Sequence, residues 1–124
     1  MKIENHLEKI KHLESSLAKL GEDTDAEAII ELIMIITAHY VNAAMHKLNT
    51  LRIEKDEKHN KMHRVLVKEK RLAEDSWTIW NALDRIEKLR PKHVYGKGSN
   101  GEAIKEAKTH YEKIKTVCRR ILNV

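Results

Sequence analysis

The sequence predicts an all-α protein, a four-helix up-and-down bundle in one domain over residues 1–124, and three observations carry that prediction. Gly and Pro are scarce, at 4 and 1 of 124 residues, too few for the turn roughly every 8 to 12 residues that a sandwich or barrel needs. Aromatic residues make up only 4% and Phe is absent, again unlike a β-rich chain. Apolar residues recur every three or four positions, the period of an amphipathic helix. With 41% hydrophobic and 35% charged residues, the composition fits a helical protein with solvated Lys/Glu faces and excludes disorder. A chain of this length buries roughly two-thirds of its unfolded surface, enough for a real core.

The first helix is marked by Ile3, Leu7, Ile10, Leu13, Leu17 and Leu20, which fall on one stripe, with Gly21 in the position of a C′ residue. The second opens at Thr24-Asp25-Ala26-Glu27, which has the form of a capping box, and runs to about Asn49. Its apolar residues, from Ile29 to Leu48, occupy too much of the circumference for a single buried face. It is expected at the centre of the bundle or at a homodimer interface. Glu31, His39, Asn42 and His46 interrupt the run and argue against a membrane span. Residues 50–58 are a charged connector without Gly or Pro, into which this helix is expected to fray.

A third helical region has Met62, Leu66, Ala73, Trp77, Trp80, Leu83, Ile86 and Leu89 as candidate core residues. Ala73-Glu74-Asp75-Ser76 is a candidate interruption and Pro91 the expected end. After a loop, Ser99-Asn100-Gly101-Glu102 has the form of a second capping box. The last helix carries Ile104, Ala107, Tyr111, Ile114, Cys118 and Ile121, with Cys118 as a small core residue. One cysteine makes no intrachain disulfide, and the amphipathic start does not read as a signal peptide, so a cytoplasmic address is the simplest expectation. The net charge of +5 admits an acidic partner such as nucleic acid, although alternating Lys and Glu also describe a solvated helix face.

Several constellations carry chemistry. On the second helix His39, Asn42, His46 and Asn49 follow a 3, 4, 3 spacing and form one polar line down an apolar cylinder. Such a line faces a wet cleft, pairs with polar groups on another helix, or binds a ligand. His59 and His63 have the i, i+4 spacing of a chelating pair. If they met His39 and His46, four imidazoles would converge, with Glu31 as an additional carboxylate. Arg52 and His59, with six residues between them, could stabilise a phosphoryl transition state and move protons, which suffices for metal-free RNA cleavage. Arg90, Lys92, His93 and Lys97 surround Tyr95, a set suited to a phosphate or an unstacked base. Trp77 and Trp80 read as core or interface anchors rather than stacking platforms.

Taken together, the run Ala38-His39-Tyr40-Val41-Asn42-Ala43-Ala44-Met45-His46-Lys47-Leu48, then Lys58-His59 and His63-Arg64, residues 83–90, and His93-Val94-Tyr95-Gly96 before the final helix resemble the HEPN (higher eukaryotes and prokaryotes nucleotide-binding) family. The resemblance spans residues 3–122 in helix order and linker placement. It implies a small helical bundle acting as a homodimer that binds nucleotide or RNA, either as the partner of a minimal nucleotidyltransferase or as a degenerate metal-independent ribonuclease. Arg52 and His59 satisfy the family's catalytic spacing, with Ile53 where a polar residue usually follows the Arg. The expected binding residues are His39, Asn42, His46, Arg90, Lys92, His93, Tyr95 and Lys97; no cofactor and no metal are expected on this reading. Two rivals stand beside it: a metal-binding bundle using His39, His46, His59 and His63, and a purely structural assembly module.

Overall fold

The most apolar segment of the chain becomes its central helix. In a computed structural model, which describes residues 1–94 and 100–124, the long helices are α1 (Ile3–Ala18), α2 (Ala26–Lys47), α4 (Glu74–Val94) and α5 (Asn100–Leu122). A single-turn helix, α3 (His63–Leu66), precedes α4, and no strand occurs among the described residues. The protein is all-α. Helix α2 packs against α1, α4 and α5, and α4 also packs against α5. Every residue from Tyr40 to His46 is buried, including Asn42 and His46. That coverage explains the broad apolar circumference: three elements of the same chain surround α2. By length and composition α2 could cross a membrane, yet 67% of its most apolar window is buried within the fold, as in a core helix.

Helix ends follow backbone chemistry that the sequence only partly discloses. α2 does not fray. It stops in a Schellman motif, with Asn49 at φ 61°, the Asn49 N–H on His46 O at 3.1 Å and the Thr50 N–H on Met45 O at 2.9 Å. Asn tolerates the left-handed conformation because its short amide bonds locally. Asn49 therefore leaves the polar line expected on the helix and becomes its terminator. At the other end Asp25 is the N-cap and makes no side-chain cap bond. Its carboxylate accepts the Gly21 N–H at 2.9 Å instead, so the Thr24–Glu27 capping box is not the device that starts α2. α1 ends with Lys19 in the right-handed region, two residues before Gly21, which is not its C′ residue.

The third helical region is broken rather than continuous. A 3-10 turn at His59–Lys61, the short α3 and a second 3-10 turn at Lys70–Leu72 lead to Ala73, whose φ of 50° and ψ of −126° end the segment before α4 begins. The register of α4 buries Ile79, Ala82, Leu83, Ile86 and Leu89, which turns Trp77 and Trp80 outward. These two indoles, 63% and 43% exposed, are not core residues, and Ala73 is exposed as well. Nor does Pro91 end α4, which runs to Val94. Pro91 has no N–H to give the last turn of α4, which continues through it all the same. The expected second capping box includes Ser99, outside the described residues. On α5, Ile104, Ala107, Tyr111, Ile114 and Cys118 are buried, and burial pushes the Cys118 thiol up.

Candidate functional site

Two residues on α2 reach a polar cluster assembled from three elements. His39 and His46 lie two turns apart, and His6 of α1 sits between their rings, with centroids 5.1 Å from His39 and 5.4 Å from His46. The third element is the 49–58 loop, which brings in Asp56. Its Oδ1 lies 2.8 Å from His46 Nε2 and 3.0 Å from His6 Nε2. The Met1 nitrogen is 3.2 Å from the same oxygen. His6 Nδ1 meets His39 Nδ1 at 2.9 Å, a bond in which one ring donates and the other accepts. His46 Nδ1 faces the carbonyl of Leu51 at 3.2 Å. Leu51 O and the Asp56 carboxylate are both acceptors, and the two nitrogens of the His46 ring face one each.

Electrostatics follow from this placement. Burial lowers His6, partly countered by the hydrogen bond to Asp56. His39 is lowered by burial and then by the neighbouring His6. Burial alone would raise the Asp56 carboxyl, but hydrogen bonds from His46 and His6 outweigh it and hold the group below the usual carboxylate range. His6, His46 and Asp56 each offer one ligand atom, and these atoms all lie within 4.8 Å of one another.

Asn42 holds the loop through its carboxamide. Its Nδ2 donates to Ala38 O and Glu57 O, both at 3.0 Å, and its Oδ1 accepts the Glu57 N–H at 2.8 Å. Both amide protons are thereby used within the chain. Beside this clamp opens a cavity of about 360 Å³ lined by His6, His39, Asn42, Lys58, His59 and Asn60, among others. A second cavity, of about 290 Å³, shares His59 and Asn60 and extends to His63, Trp80 and Glu87. The two cavities adjoin at His59 and Asn60, which line both.

His59 Nδ1 is 3.0 Å from Glu87 Oε2, close enough for charge pairing though not aligned as a hydrogen bond. Glu87 also pairs with Arg90 at 3.0 Å, and Arg90 pairs with Glu31 at 2.7 Å. Arg90 is thus engaged by two carboxylates, and the hydrogen bond from its guanidinium to Glu31 holds it more firmly charged. Glu31 faces Arg90, not the histidines. Arg52 is exposed on the loop, and its side chain makes no hydrogen bond or ion pair among the described residues. The four histidines His39, His46, His59 and His63 do not form one cluster: His46 meets His6 and Asp56, His39 meets His6 and lines the first cavity with His59, and His63 lines the second. The side chains of Lys92, His93, Tyr95 and Lys97 lie outside the described residues.

His6 and Asp56 were not legible as site residues. His6 falls inside the apolar stripe, three residues after Ile3 and four before Ile10, and a polar residue at such a register is the signal that could have found it. Asp56 sits in a run of charges with nothing to distinguish it. Compared with protein-family models, curated proteins and solved structures, the chain shows no match to any of them. The functional reading therefore rests on the chemistry of the two cavities and the histidine cluster.

Proposed function

We propose that this chain is a HEPN-like up-and-down bundle, cytoplasmic and homodimeric, that binds nucleotide or single-stranded RNA along the adjoining cavities between α2, the 57–60 segment and α4. One observation carries the reading: two adjoining cavities share His59 and Asn60, the first lined also by His39 and Lys58 with Asp56 and Glu57, the second by His63 and the exposed indole of Trp80 with Asp84 and Glu87. Imidazoles and a lysine suit phosphate oxygens and base edges, and a solvent-facing indole gives an unstacked base a surface to lie on. Trp77, three residues away on α4, is also exposed. Arg90 and Asn42, both occupied within the chain, act here as supports. Dimerisation and the nucleotidyltransferase partner come with the family resemblance.

Tryptophan fluorescence tests this directly, because both indoles of the chain lie on α4. Titration with a single-stranded RNA oligonucleotide and with ATP at low salt is expected to quench the signal of the full chain. Affinity should fall steeply between about 50 and 200 mM salt, and Trp80→Ala and Lys58→Ala should each weaken binding. Absence of binding at low salt, or binding indifferent to both substitutions, overturns the reading. Cleavage in EDTA that vanishes in both Arg52→Ala and His59→Ala would make the bound strand a substrate. Binding without cleavage makes the bundle a degenerate, non-catalytic member.

A further inference from the structure

We infer that His6, His46 and Asp56 form a binding site for one first-row divalent transition-metal ion, zinc being the best fit, that ties α1 and α2 to the 49–58 loop. The first support is geometric. Three donors from three elements converge with Nε2–Oδ1 separations of 2.8 and 3.0 Å. Metal–ligand distances of about 2.0–2.1 Å in a tetrahedron place ligand atoms roughly 3.3 Å apart, so small adjustments admit an ion.

The second support is the outer ring of hydrogen bonds. A ligating histidine characteristically has its remote nitrogen held by a carbonyl or another polar group, which fixes the ring and points the other nitrogen at the metal. Here His46 Nδ1 is held by the Leu51 carbonyl at 3.2 Å and His6 Nδ1 by His39 at 2.9 Å. Both Nε2 atoms then point at the same carboxylate oxygen. With Nδ1 of His46 protonated for Leu51, its Nε2 lone pair faces Asp56, an arrangement that a cation between them resolves. The Met1 nitrogen on that oxygen would share it or move away. His6 and His46 are 1% and 3% exposed, so the imidazoles are already stripped of water. Two imidazoles with one carboxylate select zinc, nickel, cobalt or ferrous iron over magnesium or calcium. Three protein ligands are the number found where an exchangeable position stays open.

The test uses the full chain, freed of metal by chelation and then titrated with Co²⁺, whose visible d–d bands report coordination, followed by Zn²⁺ in competition. The expected result is one ion per chain, displaced by Zn²⁺, and a rise in Tm with either metal. His46→Gln, His6→Gln and Asp56→Asn should each weaken binding by at least roughly tenfold, whereas His12→Gln and His63→Gln should bind as the parent does. Far-UV circular dichroism of each variant distinguishes a lost ligand from a lost fold, and Asp56→Asn, at the half-exposed position, is the substitution the fold tolerates best. If the parent chain binds no stoichiometric Co²⁺, or if folded Asp56→Asn and His6→Gln chains bind it unchanged, the site does not exist and protons alone hold the cluster. RNA binding measured with and without chelator keeps this outcome separate from that of the two cavities.

Discussion

Asn42 shows how one side chain can set the geometry of a whole loop. The carboxamide sits on the buried face of α2, 4% exposed, and bonds both backbone groups of Glu57, as a neighbouring strand would. Without it the Glu57 N–H and C=O would have to find water at a half-buried position. Leaving buried polar groups unpaired costs about 1–3 kcal/mol. Asn42→Ala is therefore expected to destabilise the chain by about that much, read as a lower urea midpoint at unchanged m-value. Asn42→Asp keeps an acceptor for Glu57 N–H but turns carboxylate oxygen toward the carbonyls of Ala38 and Glu57, and should be no better. An unchanged midpoint in Asn42→Ala would show that the loop is held by Asp56 and the histidines alone. The 3, 4, 3 polar spacing on α2 made Asn42 visible in the sequence, but not its role: an amide that binds a ligand and one that clamps a backbone look alike until the loop is placed. Glu14 was hidden for the same reason as His6. It sits in the α1 stripe, yet it accepts the Tyr40 hydroxyl at 3.3 Å and that of Tyr111, and pairs with Lys115 at 3.0 Å, joining α1 to α2 and α5.

At the scale of elements, helix identity was legible and helix boundaries were not. Periodicity fixes which residues face inward over long stretches, so the stripes of α1 and α5 emerge from spacing alone, with Ile10, Ile104, Ala107, Tyr111, Ile114 and Cys118 all buried. Termination depends on single backbone conformations, which spacing does not encode. Asn49 stops α2 with a left-handed residue, and Asn123, at φ 61°, occupies the equivalent place after α5. Both substitute for the glycine that would have announced them. Ala73 is the costlier case. It holds φ 50° with a Cβ present, between the second 3-10 turn and α4, where glycine has no steric penalty. Ala73→Gly is accordingly expected to raise stability by about 1 kcal/mol, measured as a higher Tm, and the exposed position means no packing is lost. A fall in Tm would mean that the backbone at Ala73 does not hold a left-handed conformation in solution.

The arrangement of the whole molecule follows from the position of α2. Because α1, α4 and α5 all pack on it and α4 packs on α5, the long helices share one hydrophobic core. Ile29, Ile30, Ile33 and Ile36 are all essentially fully buried and lie on successive turns of this one rod. Truncating a fully buried isoleucine costs about 2–5 kcal/mol through lost transfer energy and the cavity left behind. For Ile33→Ala that loss should fall on the molecule as a unit. Helix content by far-UV circular dichroism reports all elements, whereas tryptophan fluorescence reports α4, where Trp77 and Trp80 reside. Two-state unfolding requires the two curves to coincide in urea, in the parent and in Ile33→Ala alike, with the midpoint of the variant lowered. Fluorescence changing at lower urea than helix content would mean that α4 detaches while α2 keeps its other neighbours. The shared core would then divide into two cooperative units, with α4 the weaker.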